Sequence, residues 1–278
     1  MMLNVGRIEY SNCTPLFMLL EEQSTSVPYN TVAGVPSVLN RMLASGEVDI
    51  CPCSSIEFAR HTDMYQILPG HCIGSDGPVQ SVMLYSSLPV ERLANQKVFV
   101  TGQSATSVVL LKILLARRFG LDGVSYEITD LPWQKAIQQG AATLLIGDNA
   151  LMALEEGNFK NCYDLGAEWK KWTGLPFVFA LWLINKNSVE SKQTELKIFA
   201  RKLDSVRDRL TDEFGRLAGI EAKNSWMSAE YLENYWRHSL SYQLDQRHIA
   251  GLIRYFELAS EMGLITQMPV LSFWQGMS

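Results

Sequence analysis

Residue types able to hold an anion without a fixed positive charge recur at four points of this 278-residue sequence, each where an apolar run gives way to small polar residues. At Tyr10-Ser11-Asn12-Cys13-Thr14-Pro15, Asn12 carries an amide donor and acceptor and Pro15 suits the first turn of a helix; taken alone, Asn12 or Thr14 reads as its N-cap. At Cys51-Pro52-Cys53-Ser54-Ser55, the two serines and the first N–H groups of a helix beginning near Ile56 could receive an anion at the positive end of the helix dipole. Thr101-Gly102-Gln103-Ser104-Ala105-Thr106-Ser107 is the best anion site of the four, because Gly102 relaxes the turn, Ser104 and Thr106 supply hydroxyls, and helical N–H groups point outward. Leu144-Leu145-Ile146-Gly147-Asp148-Asn149 ends on Asp148, which fits a turn or cap as well as it fits binding a ligand hydroxyl or moving a proton. Between the second and third points, Ser75-Asp76-Gly77-Pro78-Val79-Gln80-Ser81 is a Gly-Pro turn that delivers Ser81 to the start of a strand, where a serine can face a cleft. The common chemistry is a neutral, hydrogen-bonding grip on a small carboxylated molecule.

Other chemistries lack their residues. The third point has no lysine until Lys112, so it is not a nucleotide P-loop. His61, His71, His238 and His248 have no metal-binding spacing, and Cys51-Pro52-Cys53 separates its thiols by one residue with no second ligand pair, so no metal is expected. No Gly-x-Ser-x-Gly elbow supports a Ser-His-Asp triad. The aromatic residues of Trp169–Trp182 and Tyr231–Trp236 read as core and are given no ligand role. A net charge of -5 argues against nucleic acid or an anionic membrane surface as partner, and the apolar runs are too short to span a bilayer. No export leader is visible, and five cysteines, an odd count, suit reduced thiols; a cytoplasmic location is expected.

The elements that must position these residues alternate at short spacing. Leu3–Tyr10, Val48–Cys53, Tyr65–Leu68 and Ser81–Tyr85 read as strands, with Pro36–Ala44 a helix among them. After Ser86-Ser87-Leu88-Pro89 the rhythm restarts: strands at Lys97–Val100, Ser125–Ile128 and Ala142–Ile146, helices at Ser107–Phe119 and Leu131–Gln139, each closed by glycine. Phe177–Ile184 is a strand that carries the chain back, and the three- and four-residue spacing of Leu196, Phe199, Leu203, Val206, Leu210, Phe214 and Leu217 opens a series of long helices. Two restarted rhythms joined by two crossovers give an α/β protein of two lobes, 1–88 together with 186–278 and 89–185 between them, with ligand expected outside the carboxyl ends of the strands.

Three stretches together resemble chorismate dehydratase, an enzyme of the futalosine route to menaquinone: Gly6–Leu16, Val48–Arg60 and Ser75–Val82. Thr101–Ser107, Ile146-Gly147-Asp148, Thr173–Ala180 and the terminal helices continue the likeness over nearly the whole chain. The resemblance implies a periplasmic-binding-protein-like fold of the second type. It also implies loss of water from chorismate to give 3-[(1-carboxyvinyl)oxy]benzoate, without cofactor or metal. The family's active-site Asn and Ser match Asn12 and Ser81. In the same mapping, Ser54 and Ser55 hold one end of chorismate while Ser104, Ala105 and Thr106 receive a carboxylate; Asp148 is a further candidate for substrate contact. Cys51-Pro52-Cys53 departs from the plainer residues expected before the serine pair. The sister enzyme that makes 1,4-dihydroxy-6-naphthoate carries a histidine base after the strand matching Leu144–Ile146, where this chain has Gly147-Asp148. A non-catalytic receptor for a small carboxylate is the reading from a different class, since fold alone does not fix activity.

Overall fold

The computed structural model describes residues 2–22, 29–157 and 159–276. Its elements run β1 (Leu3–Ile8), α1 (Thr14–Glu22), β2 (Tyr29–Gly34), α2 (Pro36–Ser45), β3 (Ile50–Ser54), α3 (Ser55–Arg60) and β4 (Tyr65–Ser75). There follow β5 (Val82–Ser86), β6 (Lys97–Val100), α4 (Ala105–Ile113), β7 (Ser125–Ile128), α5 (Trp133–Gln139), β8 (Ala142–Ile146), α6 (Gly147–Glu156), β9 (Asn161–Asp164) and α7 (Leu165–Thr173). The chain returns through β10 (Phe177–Asn185) and closes with α8 (Lys186–Ser191), α9 (Gln193–Glu221), α10 (Ala229–His238), β11 (Ser241–Gln243) and α11 (Gln246–Glu261).

The strands form two sheets, in the orders β11-β4-β10-β3-β1-β2 and β7-β6-β8-β5-β9. Parallel pairing of β1 with β2 and β3, and of β6 with β7 and β8, sends the carboxyl ends of β1, β3, β6 and β8 toward the space between the sheets. β10 lies antiparallel between β3 and β4, and its run Phe-Val-Phe-Ala-Leu-Trp-Leu-Ile is buried almost throughout, as a strand covered on both faces must be.

The chain changes sheet between Ser75 and Val82 and again between Asp164 and Phe177. The expected boundaries at 88/89 and 185/186 therefore fall one strand late at each crossing: β5 belongs to the second sheet and β10 to the first. The physical reason is that Ser86-Ser87-Leu88-Pro89 ends β5 without changing sheets, whereas the crossing itself is made by Asp76-Gly77-Pro78. Two further differences are local. β4 runs past Pro69-Gly70 to Ser75, seven residues beyond its expected end at Leu68, and Gly147-Asp148, read as a turn or cap or as a ligand contact, opens the helix α6.

The C-terminal helices complete the first sheet's core. All seven residues of the α9 stripe are buried, and α9 packs against α1 and α10. Leu203, Val206 and Leu217 are fully enclosed, and each such side chain contributes about 1.5–3 kcal/mol of transfer free energy. Among the described residues, no helix is long and apolar enough to cross a membrane.

Candidate active site

A cavity of about 540 Å³, counting the part open to solvent, lies between the two sheets. Its polar lining is Tyr10, Asn12, Ser54, Ser81, Ser104 and Ser107, and Ile73, Phe179 and Leu240 are among its apolar walls. Among the described residues, no charged side chain lines it.

Asn12 sits in the turn after β1, and this turn is held from behind by the C-terminal elements. The Trp236 indole donates to Ser11 O at 2.8 Å and the Tyr242 hydroxyl donates to Asn12 O at 2.8 Å. The backbone is thereby pinned while the side chain is not: Asn12 Oδ1 is buried and accepts no hydrogen bond from the protein. An unmet buried acceptor costs about 1–3 kcal/mol, so such an atom on a cavity wall is a natural partner for a ligand donor.

Ser81, also buried, faces the same cavity from the first crossover. Ser81 N donates to Val79 O at 2.7 Å, closing a three-residue turn whose central residue, Gln80, has φ = 60°. A non-glycine residue held in that region costs on the order of 1–3 kcal/mol. The Ser81 hydroxyl lies a long 3.3 Å from Val79 O and also hydrogen-bonds the Tyr235 hydroxyl of α10.

The remaining sequence candidates divide by where their polar atoms point. Ser54 and Ser104 line the cavity. Ser104 is the N-cap of α4, accepting from Ser107 N at 3.4 Å, and its hydroxyl meets that of Ser107 at 2.9 Å. Ser55 and Thr106 are fully enclosed behind it: Ser55 Oγ donates to Val178 O at 2.8 Å, Thr106 Oγ1 accepts from Ile56 N at 3.2 Å, and the two hydroxyls lie 3.4 Å apart. These bonds join α3 to α4 across the two sheets. Ala105 lies at a neighbouring hollow, which shares Ser104 with the cavity and is lined by Arg41, Lys112 and the ion pair of Arg60 with Glu57. Cys51 and Cys53 are buried with their sulfurs 3.2 Å apart and leave the wall to Ser54.

Asp148 is at the first turn of α6 and accepts from Ser11 N at 3.1 Å, so it ties the second sheet's helix to the turn that carries Asn12. Burial, opposed by the Ser11 hydrogen bonds, holds its carboxyl above the ordinary aspartate value. It lines a separate groove on the other side of that turn.

Tyr10, Ser107, Gly147 and Phe179 are among the lining residues that the sequence reading did not name as site residues. Tyr10 crosses between the sheets: its hydroxyl donates to Gln103 Oε1, and its ring covers Gly147, where an added Cβ would sit 2.9 Å from the ring and φ is already 57°. Burial, with the Asp148 charge, raises its phenol to about 12, which keeps it a proton donor at neutral pH. Ser107 stands three residues after Ser104, and that helical spacing was the signal for it. Gly147 and Phe179, the latter inside the aromatic run assigned to core, also line the cavity.

The arrangement supplies hydrogen-bond donors and an unmet acceptor around a site of mainly apolar walls, a setting for orienting a substrate and stabilising a leaving hydroxyl. Comparison with known proteins agrees with it. A family model described as menaquinone biosynthesis matches residues 3–261. Chorismate dehydratase of Thermus thermophilus is 30% identical over 270 residues, 91% of this chain and 93% of that protein. Chorismate dehydratase of Campylobacter jejuni is 28% identical over 241 residues, 85% of this chain and 90% of that protein. Among solved structures, the periplasmic aliphatic sulphonate binding protein of Escherichia coli aligns with a TM-score of 0.70 at 18% identity, covering 99% of this chain and 92% of that one, which shows a periplasmic-binding-protein-like fold. Matched along almost its whole length, this chain belongs to the menaquinone biosynthesis family.

Proposed function

We propose that this protein removes water from chorismate to give 3-[(1-carboxyvinyl)oxy]benzoate, at the head of the futalosine route to menaquinone. The observation that carries the reading is the pairing, on one cavity, of the unmet Asn12 Oδ1 with the Ser81 hydroxyl presented by a strained turn. Dehydration breaks the C–H bond at the ether-bearing ring carbon, and its electrons enter the ring as the neighbouring C–O bond breaks. The hydroxyl takes up the proton that the base has removed from carbon and departs as water, and the ring becomes aromatic. The driving force lies in the substrate, so the protein has only to hold the reacting bonds in line and to donate hydrogen bonds to the departing oxygen. The Ser81 hydroxyl and the Asn12 amide N–H donate to the departing oxygen, while Asn12 Oδ1 accepts from a substrate donor and holds the ring in place. The substrate's enolpyruvyl carboxylate is the base, which fits a cavity with no charged side chain on its described walls.

Ser54 and Ser104 bind the substrate's polar ends, Ser104 at the N-terminus of α4. Ser55, Ala105 and Thr106 belong to the substrate site as its backing, with the hydroxyls of Ser55 and Thr106 fixing the wall behind Ser54 and Ser104. Asp148 acts on the turn of Asn12. The two sheets with their helices are the two lobes of the enzyme, and its place is the cytoplasm, a reading that its free thiols support. Purified protein mixed with chorismate should yield a product lighter by one water and with the ultraviolet absorbance of a substituted benzoate. Saturable binding of chorismate without turnover would leave a receptor and remove the enzyme reading.

A further inference from the structure

Both connections between the sheets meet at one carboxylate. Asp164 ends β9, where the second connection begins, and caps α7 by accepting from Ala167 N at 2.9 Å. The same carboxylate accepts from Val79 N at 3.1 Å through Oδ1 and from Gln80 N at 2.6 Å through Oδ2. Those two residues are the first and central positions of the turn that presents Ser81. α7 can come this close because residue 166 is glycine: a Cβ there would lie 2.6 Å from Gly77 O. Ser81 O in turn accepts from Gly147 N at 2.8 Å, so the residue is fixed on its carbonyl side by the second sheet. Nothing else in the turn's own sequence favours a positive φ at Gln80; the outside hold does.

We propose that Asp164 is a positioning residue for the dehydration: by binding the N–H groups of Val79 and Gln80 it keeps Gln80 at positive φ and so aims the Ser81 hydroxyl into the cavity. This rests on the role of Ser81 given above. Asp164 has no place on the cavity lining, so it acts through the turn. An amide in its place would confront at least one of the four N–H donors, those of Val79, Gln80, Gly166 and Ala167, with its own NH₂. Displacing the Ser81 hydroxyl by a fraction of an ångström to an ångström lowers turnover and leaves the remaining binding groups in place.

The test is steady-state kinetics on chorismate with Asp164→Asn, Asp164→Ser, Ser81→Ala, Gln80→Gly and their combinations. Asp164→Ser keeps an N-cap for α7 while its single oxygen gives up the two-pronged hold on the turn, so it remains informative if Asp164→Asn folds poorly. Expected for either Asp164 variant is a loss in kcat of about 10- to 100-fold with KM within about twofold of the parent. In the Ser81→Ala background the same substitution should cost less than about twofold, because the group it positions is gone. Gln80→Gly, free to adopt positive φ, should restore most of the loss. Parent-like kcat in both Asp164 variants, an undiminished loss in the Ser81→Ala background, or no rescue by Gln80→Gly would each overturn the proposal. Parent-like turnover by Ser81→Ala alone is a different result: it removes Ser81 from the mechanism and the positioning role with it.

Discussion

At the scale of single residues, the site stores cost where it needs function. Asn12 holds a buried acceptor that the folded protein leaves unpaired, while its backbone carbonyl is paired with Tyr242. Removing the amide therefore has opposite effects on activity and on stability. Asn12→Ala removes both that acceptor and the amide N–H donor and is expected to lower kcat/KM for chorismate by about 100- to 1,000-fold, the usual loss for a donor to a developing negative charge. Its melting temperature should equal or exceed the parent's, since the penalty of about 1–3 kcal/mol for the unmet acceptor goes with it. Absorbance assays beside thermal melts check both. A parallel fall in activity and melting temperature would mark Asn12 as an ordinary structural residue. Asn12 and Ser81 could be singled out in the sequence as polar residues after a strand and after a Gly-Pro turn, but their proposed roles came from the family resemblance, since Asn12 alone reads as an N-cap. The strain at Gln80 was not, because glutamine carries no signature of positive φ and Asp164, which supports it there, lies more than eighty residues away in sequence.

Elements show the same division between local and distant causes. β6 and β7 lie at Lys97–Val100 and Ser125–Ile128, where an apolar run in the first, an alternating Ser-Tyr-Glu-Ile in the second, and flanking Gly and Asp place them. The start of α6 was ambiguous because Gly147-Asp148-Asn149 has the composition of a turn; the glycine opens the helix at φ = 57° so that the Tyr10 ring can lie on it. Thr106 is the clearest case of a role that sequence alone misplaces. Its hydroxyl belongs to the best-looking anion loop, yet it is used on Ile56 N, fifty residues earlier. Thr106→Val keeps the shape and removes the acceptor, leaving a buried N–H unpaired. It is expected to cost about 1–3 kcal/mol of unfolding free energy, read by denaturant melts, with KM for chorismate within about twofold of the parent. A large rise in KM with unchanged stability would instead assign the hydroxyl to direct substrate contact.

For the molecule as a whole, the contacts between sheets decide how the cavity closes, and one of them titrates. Asp148 meets Ser11 N across the cleft, and burial in that closed arrangement raises its carboxyl above the ordinary value. In the unfolded chain, and in any form with the cleft opened, the same carboxyl is hydrated and ordinary. The closed, folded form therefore binds the Asp148 proton more readily. The stabilisation this gives is fully present below the ordinary aspartate range and is lost as pH rises through the raised native value. Asp148→Asn keeps an oxygen for Ser11 N and removes the titration. The melting temperature of the parent relative to Asp148→Asn is expected to fall as pH rises through that window and then level off. KM for chorismate should rise over the same interval in the parent and stay flat in the variant, because closure and binding draw on the same contact. A pH-independent difference in melting temperature would show that Asp148 stays hydrated in the folded protein. A shift in melting temperature with no change in KM would separate folding from closure and confine Asp148 to the turn it holds.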